Sequence, residues 1–429
     1  MTRLHNDLQE LAAAGTAVSV AVVGVGRMGR SLVIGAEQID GVEVAAVGDI
    51  RLDRARETLA AAGHDDEEMV TVETVDAGDA AIADGQVVLT EDAMLPPQLA
   101  GVDAVIGATG VPDIGAQVAM RSILNEKHVV MLTDETDAAV GPYLSAIAAE
   151  TGVVYSGAAG DEPGAIMELY DFAASCGFEV VAAGKGKNNP LDRTATPDDL
   201  AAEAERKDLN PEIYTAFVDG TNSMLEMTMV ANATGLGVDV RGLHGPEVDS
   251  VEELSNVFDR EADGGLLSRT GVVDYALGGG VAPGVFLVVT TDDETIREDL
   301  EYLKMGTGPN YVLHRTYHIP TIEPLLTAAR AELYGDANLI PGEPVVDTVA
   351  VAKQDLAPGD EIDGIGGHTV YGLAENADVA AEENLVPVSL AEGATVTDRV
   401  AQGEAITYDD VELRESDLLH LRKLQDSYF

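Results

Sequence analysis

The sequence predicts an α/β protein with three parts: a doubly wound parallel sheet at the front, a mixed α/β domain in the middle and an all-β module at the end. Three features point there. From residue 17 short apolar runs alternate with helical periods; past about residue 160 that spacing changes; and from about residue 341 short strands separated by turn pairs take over.

The first strands are "AVSVAVV", "VEVAAVGD" and "VDAVIGAT", followed in turn by the helical stretches "RMGRSLVIGAEQI", "RLDRARETLAAAG" and "GAQVAMRSILNEK". "HVVMLTD" and an Ala-rich helix to about residue 150 continue the rhythm. These strands are apolar throughout, as expected where crossover helices cover both faces of a parallel sheet. Between residues 63 and 100 an acidic segment interrupts the pattern and is expected to add a strand or form an excursion. The middle domain opens with the strand "FEVVAAGKG". "DGTNSMLEMTMVANATG" reads as a helix, and "GVFLVVTTDD" and "NYVLHRTYH" as later strands. "TIEPLLTAARAEL" is a helix expected to return to the first domain. The closing segments carry the turns "PGD" and "QGE" between short strands. The expected domains are residues 1–160, rejoined by 321–340, then 161–320, then 341–429.

Composition limits the setting. The chain has 76 Asp and Glu against 25 Lys and Arg, a formal charge of -51, with no Trp and 4% aromatics. Self-repulsion on that scale is tolerable where salt screens it, so the sequence reads as a halophile-type cytoplasmic protein. Runs such as "DDEE" at 65–68 are solvated faces. No basic stripe exists to follow a nucleic acid, and no apolar run approaches the ~20 residues of a membrane span. The single cysteine, Cys176, excludes an intrachain disulfide and is expected to be a small buried hydrophobe. The expected partner is a small-molecule substrate, with a homo-oligomer left open.

"GVGRMG" sets Gly24, Gly26 and Gly29, with Arg27 and Met28 between them, directly after the first strand and at the start of the first helix. Gly24 permits a tight turn and Gly26 lets the backbone approach a pyrophosphate against the positive end of the helix dipole. Gly29 lets helix and strand lie close. Asp49 ends the second strand, where a carboxylate accepts hydrogen bonds from an adenosine ribose and favours NAD; Arg51, two residues on, suits the 2′-phosphate of NADP. The sequence leaves that choice open. Ala108, Thr109 and Gly110, in "GATG", would supply a second backbone edge along the dinucleotide.

The chain then concentrates cations in "GKGKNNPLDR", residues 184–193. Alternation with Gly places Lys185 and Lys187 on one side of a continuing strand, where they are expected to face a bound nicotinamide, polarise a carbonyl and hold an anion. Asn188 would orient a hydroxyl, and Arg193 and Thr194 would take a phosphate or carboxylate. Asp219, Thr221, Ser223 and Glu226 are expected to share a face of a helix beginning near Gly220 and to set the proton affinity of a lysine; helix capping by Asp219 or Thr221 is the alternative. Tyr317 and His318 would reach substrate from the far wall. His314 and His318 are four apart, but the stretch reads as strand or loop, so no metal site is assigned and a divalent-metal requirement stays open. "GDEP", 160–163, marks a hinge.

The segments "VGVGRMG", "VGDIRLDRAR", "DAVIGATGVP", "GFEVVAAGKGK", "FVDGTNSMLEMTMVANATGL", "YHIPTIE" and "AKQDLAPGDEIDGIGGHTVYG" follow one another over nearly the full length. In these the chain resembles the 1-deoxy-D-xylulose 5-phosphate reductoisomerase-like oxidoreductases, also labelled predicted homoserine dehydrogenases with a C-terminal SAF domain. The resemblance implies a Rossmann domain, an α/β catalytic domain and a β-clip SAF domain, with NADP as the usual cofactor. It also implies hydride transfer on a sugar or sugar-phosphate type of carbonyl compound, coupled in some members to isomerisation. "DGTNSMLEM" echoes the "NGTxNxIL" segment of homoserine dehydrogenases, whereas their "GxDxxxKL" segment has no counterpart. A non-catalytic nicotinamide-nucleotide sensor is the alternative from another class.

Overall fold

A computed structural model describes residues 3–207 and 209–429. The chain divides into two compact units, one comprising the chain through Gly164 with Ile319–Pro341 and His420–Tyr428, the other Ala165–His318 with Gly342–Leu419 and Phe429.

The first unit is built on seven strands: β1 (Val18–Val23), β2 (Val42–Gly48), β3 (Met69–Thr71), β4 (Val87–Thr90), β5 (Ala104–Gly107), β6 (His128–Met131) and β7 (Tyr155–Gly157). They are parallel in the order β3-β4-β2-β1-β5-β6-β7, which reverses direction at β1, the strand that leads into the glycine-rich turn. Both faces are covered. Val20 and Val22 of β1 join one core with Leu32, Leu59 and Ile106, while Ala21 and Val23 join the other with Leu99, Val105 and Val118. Two buried faces leave few positions for polar residues, which is why these strands read as largely apolar runs. The acidic stretch after residue 63 is part of this sheet: it supplies β3, the helix Val75–Ala83 capped by Thr74, and β4. Helix Glu323–Tyr334 lies against β1, β5 and β6 through Leu325, Ala328 and Ala329.

Asp417–Tyr428 is helical, and its last nine residues belong to the first unit. The anchor is a proline. Pro142, inside helix Asp134–Thr151, has no N–H to donate to the preceding turn. One step on, the Gln425 side chain bridges the helix, accepting from Tyr143 N and donating to Ala139 O, both at 3.1 Å.

The second unit contains a five-stranded mixed sheet of β8 (Glu179–Lys187), β9 (Glu247–Val248), β10 (Val272–Gly278), β11 (Val285–Thr290) and β12 (Asn310–Arg315), in the order β12-β11-β8-β10-β9. Helix Thr221–Thr234 is buried almost all round, because its Met224, Met227 and Val230 meet the sheet core while the hairpin of β13 (Val346–Ala352) and β14 (Val370–Asn376) covers it from another side. A short pair, β15 (Thr395–Val396) and β16 (Val411–Glu412), completes the β-rich segment, which also holds one short helix, Ala377–Glu382. Cys176 is exposed at the end of helix Glu162–Ser175, contrary to the expectation of burial: it falls beyond the buried Ala173, where the chain turns at Gly177. Among the described residues no helix is long and apolar enough to cross a membrane.

Candidate active site

The two units each bring together one cluster of the residues singled out in the sequence. In the first, β1 runs into Gly24, whose φ of +93° suits glycine. A Cβ there would lie 2.5 Å from Ala108 O, and one on Gly29 would lie 1.9 Å from Gly24 O, so the protein's own backbone closes both positions to a side chain. Gly26 differs. A Cβ on it would meet nothing within 4 Å, so its missing side chain preserves open space before helix Arg27–Ala36, whose N-terminus no side chain caps. Residues 24–29 therefore fit a dinucleotide whose pyrophosphate rests on that helix. The loop of Ala108, Thr109 and Gly110 packs directly against Gly24, with Ala108 N donating to Val23 O at 2.8 Å.

Asp49 staples the turn. Its Oδ2 accepts from Val25 N and its Oδ1 from Arg51 N, each at 2.8 Å. Arg27, Met28 and Arg51 are exposed around the same loop.

In the second unit the "GKGK" alternation has a packing cause on each face. A Cβ on Gly184 would lie 2.3 Å from Asp274 O, and one on Gly186 2.2 Å from Ala282 N. On that side the neighbouring backbone comes too close for any side chain. Lys185 and Lys187 therefore point to the opposite face, toward helices Thr221–Thr234 and Pro211–Asp219 respectively, and are only 6% and 5% exposed. Lys185 Nζ pairs with Glu226 Oε2, and Asn222 Nδ2 donates to Glu226 Oε1 at 2.6 Å. Lys187 Nζ donates to Phe217 O. Burial first, and the Lys185 ammonium second, pull Lys187 down from 10.5 to about 8, against the opposing pull of Glu226 and Asp219. An amine poised there can give or take a proton near neutral pH.

Asp219 does not share a helix face with Ser223 and Glu226. It closes helix Pro211–Asp219, and Gly220, with φ +89°, breaks the chain direction before the next helix starts at Thr221. Its carboxylate pairs instead with Lys353 at 2.8 Å and accepts from Thr221 N at 2.8 Å. Thr221 Oγ1 is engaged by Gly372 N at 2.9 Å, and Ser223 is buried. Arg193 is held internally, its guanidinium 5.9 Å from the Tyr371 ring centre and donating to Gly242 O at 3.3 Å. Thr194 closes a turn on Asp192 Oδ1 at 2.7 Å, and Asn188 is exposed just past β8. Tyr317 is 57% exposed beneath Arg315, and His318 Nδ1 lies 2.7 Å from Pro283 O. The sheet register, Lys185 opposite Val285 and Val285 opposite Arg315, sets Tyr317 and His318 at the same sheet end as Lys187. Sequence reasoning missed Lys353 and Asn222. A lone lysine closing the apolar alternation "VAVAK" was the available signal for the first.

Comparison with known proteins adds two family matches. Residues 160–324 match the family described as Oxidoreductase DRL, catalytic domain, and residues 347–412 the SAF domain. No curated protein matches. Among solved structures, a probable dehydrogenase from Thermotoga maritima is 15% identical with a TM-score of 0.38, covering 63% of this chain and 72% of its own. Scyllo-inositol dehydrogenase from Lactobacillus casei, with bound NAD(H) and scyllo-inositol, is 12% identical with a TM-score of 0.37, covering 73% and 86%. UDP-N-acetylglucosamine 3-dehydrogenase from Acidithiobacillus ferrooxidans is 14% identical with a TM-score of 0.32, covering 64% and 65%. These matches support an oxidoreductase in which residues 160–324 are similar to the DRL catalytic domain and residues 347–412 to the SAF domain.

Proposed function

We propose that this oxidoreductase uses a nicotinamide cofactor, NADP ahead of NAD, to interconvert a carbonyl and an alcohol in a polar, hydroxylated, anionic compound of the sugar or sugar-phosphate class. The observation that carries the reading is Lys187, buried beside a second ammonium and held to about 8. Bound nicotinamide would supply hydride to the carbonyl carbon, or accept it from the alcohol. In reduction the Lys187 ammonium passes a proton from Nζ to the oxygen that gains negative charge and is left as a neutral amine; in oxidation the amine takes the hydroxyl proton. Lys185, fixed by Glu226, stays cationic, which both depresses Lys187 and favours an anionic substrate. Preference for NADP follows from Asp49, whose two oxygens are engaged by backbone N–H groups, and from the exposed Arg51 guanidinium beside it.

One observation favours isomerisation coupled to reduction. Glu226, held by Lys185 and Asn222, is a second proton acceptor close enough to act on the charge of Lys187, so the proton leaving a hydroxyl and the proton reaching the carbonyl oxygen have separate carriers. Following reduced NADP and NAD by absorbance in high salt, with homoserine, 1-deoxyxylulose 5-phosphate and a panel of sugar acids, tests both. Consumption with a sugar-type compound is expected. Turnover of homoserine alone would replace the substrate class, and nucleotide binding without consumption across a broad carbonyl panel would make the protein a sensor.

A further inference from the structure

Buried polar contacts, beyond apolar packing, join the SAF segment to the lysine centre. Gly372 N donates to Thr221 Oγ1 at 2.9 Å, and the hydroxyls of Thr228 and Thr348 meet at 2.9 Å. A Cβ on Gly372 would lie 3.0 Å from Thr221 Cγ2, so hairpin and helix are in close contact there. Immediately after β13 stands Lys353, 4% exposed. Its Nζ donates to Ala195 O at 2.9 Å and Gly367 O at 2.7 Å, and pairs with Asp219 Oδ2 at 2.8 Å. The other Asp219 oxygen holds Thr221 N, the first residue of the helix that carries Asn222 and Glu226.

We propose that Lys353, contributed by the SAF segment, is a positioning residue of the lysine centre: it neutralises Asp219, fixes the start of the Glu226 helix and thereby controls the protonation of Lys187. The inference rests on the reading of Lys187 as the proton carrier. The charged groups that act on Lys187 are Lys185 from its own strand, Glu226 from helix Thr221–Thr234 and Asp219 from helix Pro211–Asp219. Of the two carboxylates, Glu226 is matched by Lys185 within the catalytic domain, whereas Asp219 is matched by Lys353 from outside it. A buried carboxylate stripped of its partner acts at nearly full strength on the nearest cation. Removing Lys353 therefore strengthens the hold on the Lys187 proton, and removing the Asp219 charge weakens it.

The test reads Lys187 directly in the full-length protein, by NMR of 13Cε-lysine across pH, with its resonance assigned by its loss in Lys187→Met. In Lys353→Met the Lys187 titration is expected to rise from about 8 to about 9 or above. In Asp219→Asn it is expected to fall, and in Lys353→Arg, which keeps the cation, to stay in place. Turnover in Lys353→Met is expected to drop roughly 10- to 100-fold with KM for nucleotide unchanged. Shifts of opposite sign in the two charge variants are not produced by loss of stability. If Lys353→Met does not fold, Asp219→Asn decides: an unmoved titration in whichever of the two folds overturns the inference. The NMR reading stands whether or not a substrate is turned over, so failure of the oxidoreductase reading appears separately, as an unchanged rate in Lys187→Met.

Discussion

The glycine turn of the first unit and the lysine centre of the second are built by opposite means. Residues 24–29 adjoin one another in sequence, and what they contribute is absence: two positions where backbone fills the space of a side chain and one where space stays open. The lysine centre contributes charge, and it draws Lys185 and Lys187, Asp219 and Glu226, and Lys353 from three distant stretches. Removing water from an ammonium is costly unless partners surround it, so such a centre has to be assembled from several elements. A local backbone device is coded by a short motif, whereas a buried charge cluster is coded by the whole fold.

That contrast predicts separable failures. The largest is Lys187→Met, expected to lower turnover by about 10²- to 10⁴-fold while nucleotide affinity, measured by fluorescence titration, stays within about twofold. A parallel loss of affinity would mean that the lysine acts on the nucleotide and not on the substrate. Next comes Gly29→Ala, where the new methyl meets Gly24 O. Nucleotide affinity should fall roughly 10- to 100-fold, the cost of forcing overlap in a tight turn, with the Lys187 titration unmoved. Arg51→Ala is expected to raise KM for reduced NADP about tenfold and leave that for reduced NAD unchanged, which a steady-state comparison checks. Smallest is the pH response of the unaltered enzyme. The ammonium form of Lys187 is lost as pH rises through about 8, so reduction should slow above that point, and oxidation, which needs the amine, should quicken across the same range. Profiles that rise or fall together would exclude Lys187 as the proton carrier.

Much of the first unit was legible because parallel strands buried on both faces announce themselves as apolar runs, and because "GVGRMG" follows one of them directly. The direction of Lys185 and Lys187 was legible for a similar reason: period-two alternation is local, and the glycines between them mark the crowded face. The acidic stretch after residue 63 was harder, since β3 is only three residues long and its edge position leaves polar residues free to face water. Asp219 was assigned to the wrong helix because a single left-handed glycine, invisible as such in the sequence, separates it from Thr221. Lys353 was missed because its partner, Asp219, is distant in the chain. Gln425 went unnoticed because its target is a proline defect in another helix.

The proline repair bears on how the protein is made. The first unit takes its central strands from residues 18–157, one helix from residues 319–341 and a further brace from residues 420–428. A ribosome therefore delivers residues 165–318 and 342–419 before the first unit has all its parts. Folding in strict order of synthesis is closed to this architecture. The nascent sheet must wait with part of its apolar surface uncovered, and the acidic side chains that keep the finished molecule dispersed would also hold those waiting chains apart.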